Sequence, residues 1–217
     1  MKILDIEKWN RKKHFENFSK YKLPYYTLSV RLNMTKFLKT VKMNNLRFFP
    51  SFIYLLLKVV NEFEGLKLRF NQEGQVCLYD NIDVSYTVLL NDNNFEFCLS
   101  KYYNDFYKFY NNVVTDLDDV KTKNEFNGTE IEAQRSDVIH CSCLPFIDLE
   151  EYSNPLPLGD QVEMSIPKIN WGKCSKKDDK YDMFISFTVN HALIDGYELS
   201  MAINRLQQLL DEFDPNY

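Results

Sequence analysis

Two hydrophobic periods alternate along this chain, and the way they interleave restricts its fold more than any other feature. From Ser51 onward Phe52, Leu55, Leu56, Val59, Val60 and Phe63 keep the i, i+3, i+4, i+7 spacing of a helix pressed on a core. Between Met183 and His191 the spacing drops to two, with Ile185, Phe187, Val189 and His191 on one side and Phe184, Ser186, Thr188 and Asn190 on the other. A helix then begins near Gly196, with the seam Leu199, Ile203, Leu206, Leu210 and Phe213. Period two also marks the residues after Pro24, where Tyr26, Leu28, Val30 and Leu32 alternate with polar neighbours. Shorter strands are expected at Leu66 to Phe70, Val76 to Tyr79, Val84 to Leu90, Phe95 to Ser100 and Val138 to Leu144. Glu73-Gly74 and the run Asn91 to Asn94 supply turns between them. Further helices are predicted from Ile6 to about Phe18, capped by Asp5, and from Tyr103 to about Leu117; Val120 to Asp137 reads as a polar loop with one helical turn. Strands and helices mix without strict βαβ order, which predicts an α/β fold of two layers, a mixed sheet covered by helices.

A chain of 217 residues without repeats or a Gly/Ser linker is read as a single domain, 1–217. Its 45% apolar and 26% charged residues exclude disordered and collagen-like classes. Only 6 glycines against 14 tyrosines and 17 phenylalanines make a buried aromatic pocket plausible. With 26 basic and 31 acidic residues intermixed, no overall field draws in nucleic acid or an anionic membrane. The N-terminus lacks a secretory pattern and the most apolar run, Phe48 to Val60, is interrupted by Pro50, Ser51 and Lys58. The expectation is a cytoplasmic protein. Five cysteines, an odd number, fit reduced thiols, and the sequons at Asn17, Asn33 and Asn127 carry no weight without a secretory context.

Chemistry concentrates at the end of the last strand. A histidine held by a strand terminus can sit rigidly within hydrogen-bonding distance of a hydroxyl or thiol, which general-base catalysis requires, and His191 is so placed. Asp195, four residues on, can cap the following helix or pair with a cation. The same spacing fits a histidine that closes a strand and an aspartate that only caps. His140-Cys141-Ser142-Cys143 contains zinc-ligand types, but strand alternation turns His140 away from both thiols and no second ligand pair follows, so no metal is expected.

The segment Phe187 to Tyr197, with His191, Asp195 and Gly196, resembles the His-His-x-x-x-Asp-Gly motif of coenzyme A-dependent acyltransferases, and most specifically the chloramphenicol acetyltransferase family. The likeness continues in order through Trp9-Asn10-Arg11-Lys12-Lys13-His14-Phe15, Phe48 to Ile53, Leu78 to Asp83, Ser142-Cys143-Leu144-Pro145-Phe146 and Trp171-Gly172-Lys173. It implies that family's fold, acetyl-CoA as co-substrate and chloramphenicol as the leading hydroxyl acceptor. By the same likeness His191 is the general base, Ser142 the hydrogen-bond donor to the oxyanion, and Asp195 the buried partner of Arg11. Tyr26 and Phe95 match aromatic positions of the acceptor pocket, and the resemblance implies a homotrimer with sites between subunits.

Departures surround the substrates. Asn190 replaces the first histidine of the motif, and Asn170 stands where a threonine orders a water. The chain length differs by a residue near Tyr21 to Tyr26, and the loop Lys173 to Tyr181, with Lys173, Lys176 and Lys177, is extended and charged. Two alternatives remain: a related acyltransferase with another hydroxyl or thiol acceptor, and a non-catalytic trimeric binding module of the same fold.

Overall fold

A computed structural model describes residues 1–123 and 135–216. The chain runs β1 (Lys2–Ile3), α1 (Lys12–Phe18), β2 (Tyr25–Asn33), α2 (Thr35–Met43), α3 (Phe48–Glu62), β3 (Leu68–Phe70), β4 (Val76–Leu78), β5 (Asp83–Leu89) and β6 (Phe95–Ser100). It continues through α4 (Phe106–Lys123), β7 (Val138–Leu144), β8 (Lys168–Lys177), β9 (Lys180–Asn190) and α5 (Gly196–Glu212). Six strands form one mixed sheet in the order β2-β9-β8-β7-β5-β6, in which β7 is parallel to β5 and β8 and every other pairing is antiparallel. A small antiparallel sheet, β1-β4-β3, stands apart from it.

Several elements differ from expectation. The predicted first helix is divided: Asp5 accepts from the Glu7 amide and caps only a 3₁₀ turn, Ile6–Lys8, after which extended Trp9 interrupts the backbone. The break releases Arg11 as the N-cap of α1. α2 was not expected at all, because its apolar residues Phe37, Leu38 and Val41 lie among Lys36, Lys39 and Lys42. The strand expected from Leu66 starts at Leu68 after a 3₁₀ turn, Glu64–Lys67. The lysine-rich loop is largely strand, since β8 and β9 pair out to Lys177 and Lys180. The predicted loop from Val120 begins inside α4, and residues 124–134 of it lie outside the described residues.

The two faces of the large sheet are chemically opposite. Helices α2 to α5 cover the apolar face, where Phe37, Phe52, Leu56, Phe109 and Leu206 pack with Ile169, Trp171, Ile185 and Phe187. Each such side chain contributes about 1.5–3 kcal/mol by leaving water. The other face carries polar rows. Ser29, Ser186, Asn170 and Ser142 stand level across β2, β9, β8 and β7, and Thr27, Thr188, Lys168 and His140 form the adjoining row. The segment between β7 and β8 lies against these rows, with Glu163 binding His140 and Lys168, and Asn154 binding Asn170 and Thr188. Arg31 holds Asp148 and the Leu149 carbonyl at 3.1 and 3.0 Å, and Gly172 lets that segment lie close, since a Cβ there would meet Leu149 at 2.9 Å. The small sheet is tied to β7 by Arg69, fully buried, which donates to the carbonyls of Leu66, Leu68, Ser136 and Val138. Burial pulls its guanidinium down to about 9.

Candidate active site

β9 ends at Asn190, but the ladder continues one step further, for the His191 amide donates to the Pro24 carbonyl at 2.6 Å. The imidazole is therefore carried on regular sheet backbone, ahead of a turn that leads to α5. Asp195 closes that turn as the N-cap, accepting from the amides of Tyr197 and Glu198 at 3.1 and 3.2 Å. Arg11 fixes the turn from outside. Its Nε donates to Asp195 Oδ2 at 3.2 Å, Nη1 donates to the Leu193 and Ala192 carbonyls at 2.6 and 3.4 Å, and Nη2 to the His191 carbonyl at 3.3 Å.

This pairing matches the sequence expectation in partners and differs in burial: the Arg11 side chain is 12% exposed, the Asp195 side chain 36%. Burial alone would lift the Asp195 carboxyl. The Glu198 amide, the Arg11 charge and the remaining hydrogen bonds outweigh it and hold the group below the ordinary carboxylate range.

The His191 ring lies between two aromatic rings. Phe18, from the end of α1, stacks on it with centroids 3.8 Å apart and planes 10° from parallel, and Tyr26 meets it at 4.6 Å and 47°. Its Nδ1 is buried and has no hydrogen-bond partner among the described residues, and the same holds for the Tyr26 hydroxyl. Burial, with added repulsion from Asp195 and Glu198 against attraction from Arg11, pushes the Tyr26 phenol well up.

Ser142 is elsewhere. It sits on β7, on the polar face, level with Asn170 and sharing a 3.1 Å hydrogen bond with the Thr87 hydroxyl. Buried Asn170 donates to Asn154 Oδ1 at 2.9 Å, Asn154 donates to Thr188 Oγ1 at 3.0 Å, and the Thr27 and Thr188 hydroxyls are 2.8 Å apart. Tyr25, Thr27, Ser29, Asn154 and Thr188 border a cavity of about 460 Å³ at the β2 edge, which Tyr26 also touches.

The distance between these two regions decides what one chain can do. Ser142 is level with Ser186, two strands away, and His191 lies five residues beyond Ser186. At about 4.8 Å per strand and 3.3 Å per residue the separation is on the order of 20 Å. The two side chains also leave opposite faces of the sheet: the Ile185–Phe187–Val189 row that ends at His191 packs under the helices, while Ser142 belongs to the polar row. Phe95 and Tyr26 are parted further, on the two edge strands β6 and β2. Phe95 is 59% exposed and meets Phe97 edge to face at 5.6 Å.

Thus the structure brings Arg11, Asp195, His191 and Tyr26 together, and Ser142 with Asn170, but it does not join the groups or unite Tyr26 with Phe95. Phe18, Thr87 and Asn154 escaped sequence reasoning. Phe18 entered only as an apolar residue at the end of the predicted first helix, and nothing local marks the other two as site residues. The charged hairpin offers Lys173 and Lys176, while Lys177 is 3.7 Å from Asp182. Among the described residues, no three or more His, Cys, Asp or Glu side chains are grouped to hold a metal ion, and no helix is long and apolar enough to cross a membrane.

Comparison with known proteins adds a third kind of observation. The model of the family described as chloramphenicol acetyltransferase matches residues 1–207. The chain is 28% identical over 214 residues to the chloramphenicol acetyltransferase of Clostridium perfringens, covering 98% of this chain and 95% of that one. It is 28% identical over 211 residues to the Escherichia coli protein of that name, covering 97% and 94%. Among solved structures, a chloramphenicol acetyltransferase superposes with a TM-score of 0.88 at 24% identity, over 96% of this chain and 99% of the other. A dihydrolipoamide acetyltransferase from Azotobacter vinelandii, studied for the catalytic roles of a serine, a histidine and an asparagine, superposes with a TM-score of 0.68 at 13% identity, over 92% and 86%. These two likenesses are likenesses of fold.

Proposed function

Because the chain belongs to the chloramphenicol acetyltransferase family and is with it an acetyl-CoA-dependent acyltransferase, we propose that it moves the acetyl group to a hydroxyl of chloramphenicol with His191 as general base. The observation that carries the assignment is the clamp on His191: one arginine binds the carboxylate of Asp195 and three carbonyls of the turn that presents the imidazole. With Nδ1 buried, Nε2 is the nitrogen left to meet an acceptor. It takes the hydroxyl proton as the oxygen attacks the thioester carbonyl. Ser142 donates to the oxygen that becomes negative, and donors aimed at developing charge are most effective where water is excluded. When the tetrahedral intermediate collapses, the carbon–sulfur bond breaks and the imidazolium returns its proton to the departing thiolate. Asp195 and Arg11 touch no reacting atom; they hold the base in place.

A separation on the order of 20 Å between Ser142 and His191 in one chain supports a second part of the reading, that the site forms between subunits of a homotrimer, His191 of one copy facing Ser142 of the next. Release of free thiol from acetyl-CoA, followed with chloramphenicol and a panel of other hydroxyl and thiol acceptors, tests the activity. Chloramphenicol-dependent release that is abolished in His191→Ala, with coenzyme binding kept, is the expected result. Release with another acceptor only would reassign the substrate, and activity of His191→Ala within tenfold of wild type would remove the base.

A further inference from the structure

The cavity at the β2 edge is more polar than small-molecule pockets ordinarily are. Its volume, about 460 Å³, suits a small molecule, yet Leu156 alone among the residues that border it lacks a polar side-chain atom. Pockets of that size are walled mostly by apolar groups, with a few polar ones that fix orientation. The Tyr25 hydroxyl belongs to this wall, and it is buried with no hydrogen-bond partner among the described residues. Burial, with Glu163 and Asp160 nearby, pushes that phenol well up, so it stays a proton donor. A buried donor without a partner is costly, and a ligand oxygen that accepts from it recovers the loss. Glu151, the one charged residue bordering the cavity, is exposed and disfavours an anionic group there.

The cavity also begins close to Ser142. Asn154, on its wall, accepts from Asn170, and Asn170 pairs with Ser142 across one strand spacing of about 4.8 Å. The Asn154 amide donates in turn to Thr188, whose hydroxyl also meets that of Thr27. These bonds fix the polar wall and leave the Tyr25 hydroxyl out. We propose that the cavity receives the part of the acceptor beyond its reacting hydroxyl, and that Tyr25 and Asn154 select a neutral hydrogen-bonding group there, a carbonyl, hydroxyl or amide, over an apolar one. The inference rests on Ser142 marking the reacting carbonyl. It deepens the acceptor reading: polar reach, rather than a flat apolar ring, decides which alcohol is acetylated.

Alcohols with a single arm test this without ambiguity of orientation. Arylpropanols with a terminal hydroxyl and either a para carboxamide or a para isopropyl group, alike in size, are compared with chloramphenicol as acceptors of acetyl from acetyl-CoA. Wild type, Tyr25→Phe and Asn154→Leu are measured side by side, and an alcohol that is not turned over is measured as a competitive inhibitor of chloramphenicol acetylation. The carboxamide should be preferred about tenfold to hundredfold in kcat/KM or in inhibition constant, and each variant should bring that preference toward one. Tyr25→Phe removes an oxygen with no partner to lose among the described residues, so its melting temperature should not fall, which keeps the test decisive if Asn154→Leu does not fold. Equal values for the two alcohols, a preference for isopropyl, or an undiminished preference in Tyr25→Phe would overturn the polar selection, while turnover of chloramphenicol leaves the proposed reaction standing. No thiol release with any of the three compounds would overturn both.

Discussion

All three guanidinium nitrogens of Arg11 are committed to one turn, whereas Asp195 has its own amides to cap. That asymmetry sets the order of mutational effects. Asp195→Asn keeps a good N-cap and loses charge from a carboxylate that is 36% exposed, so about 1 kcal/mol and a melting temperature roughly 2–4 °C lower are expected. Arg11→Ala strands the carboxylate and three carbonyls together, and about 3 kcal/mol, or roughly 6–12 °C, is expected. Thermal denaturation of the two variants checks this order, and equal losses would contradict the clamp. Ser142→Ala belongs to another class. It gives up a single hydrogen bond to Thr87, so stability should change by less than about 1 kcal/mol while turnover falls about 10²- to 10³-fold, as steady-state rates and melting on one preparation would reveal. At this scale the sequence was uneven. His191 and Asp195 are marked by a strand end and a helix start, but Arg11, 184 positions from its partner, was reachable only by resemblance. Phe18 looked like any apolar helix residue because stacking on His191 depends on where α1 ends in space.

Between elements, the polar face of the sheet is fastened by charge. Glu163, in the 3₁₀ turn before β8, binds His140 of β7 at 3.2 Å and Lys168 of β8 at 2.7 Å. Burial would raise its carboxyl, but the His140 contact and charge and then Lys168 bring it down to about 2. A folded-state value below the ordinary one of about 4.3 makes a contribution fully present above pH 5 and lost as pH falls toward 2. Glu163→Gln should therefore be less stable than wild type near neutrality and lose less on acidification, so denaturant midpoints measured from pH 6 to pH 2.5 should converge. Parallel curves would show that the pair contributes nothing. Long alternations were legible as strands, as in β2 and β9, and broad apolar stripes as helices, as in α3 and α5. The reading failed where extended Trp9 divides the first helix, and where a 3₁₀ turn anchored by the Gly65 amide on Glu198 runs on through Leu66 and Lys67 in place of an expected strand.

At the scale of the molecule, periodicity sorts the two sides of a single strand but not the order of the strands or which sides share a face, so the separation of Ser142 from His191 could not be read from it. A homotrimer with shared sites predicts complementation. Inactive His191→Ala and Ser142→Ala subunits, unfolded together and refolded as a mixture at equal ratio, should regain about a quarter of wild-type activity, because a random neighbouring pair then supplies one intact histidine facing one intact serine. Sedimentation of each variant as a trimer is the companion measurement, and no recovery in mixed trimers would place both residues in one subunit's site. The order of the sheet also sets a timetable for synthesis. Among the described residues β2, complete at Asn33, pairs in the sheet with β9 alone, and β9 is complete at Asn190. At about 5–20 residues per second the ribosome takes roughly 8–30 s to deliver it. Through that interval the nascent chain presents an unzipped edge beside a half-built core, so chaperone demand and loss to aggregation should peak there and fall sharply once β9 has emerged from the exit tunnel.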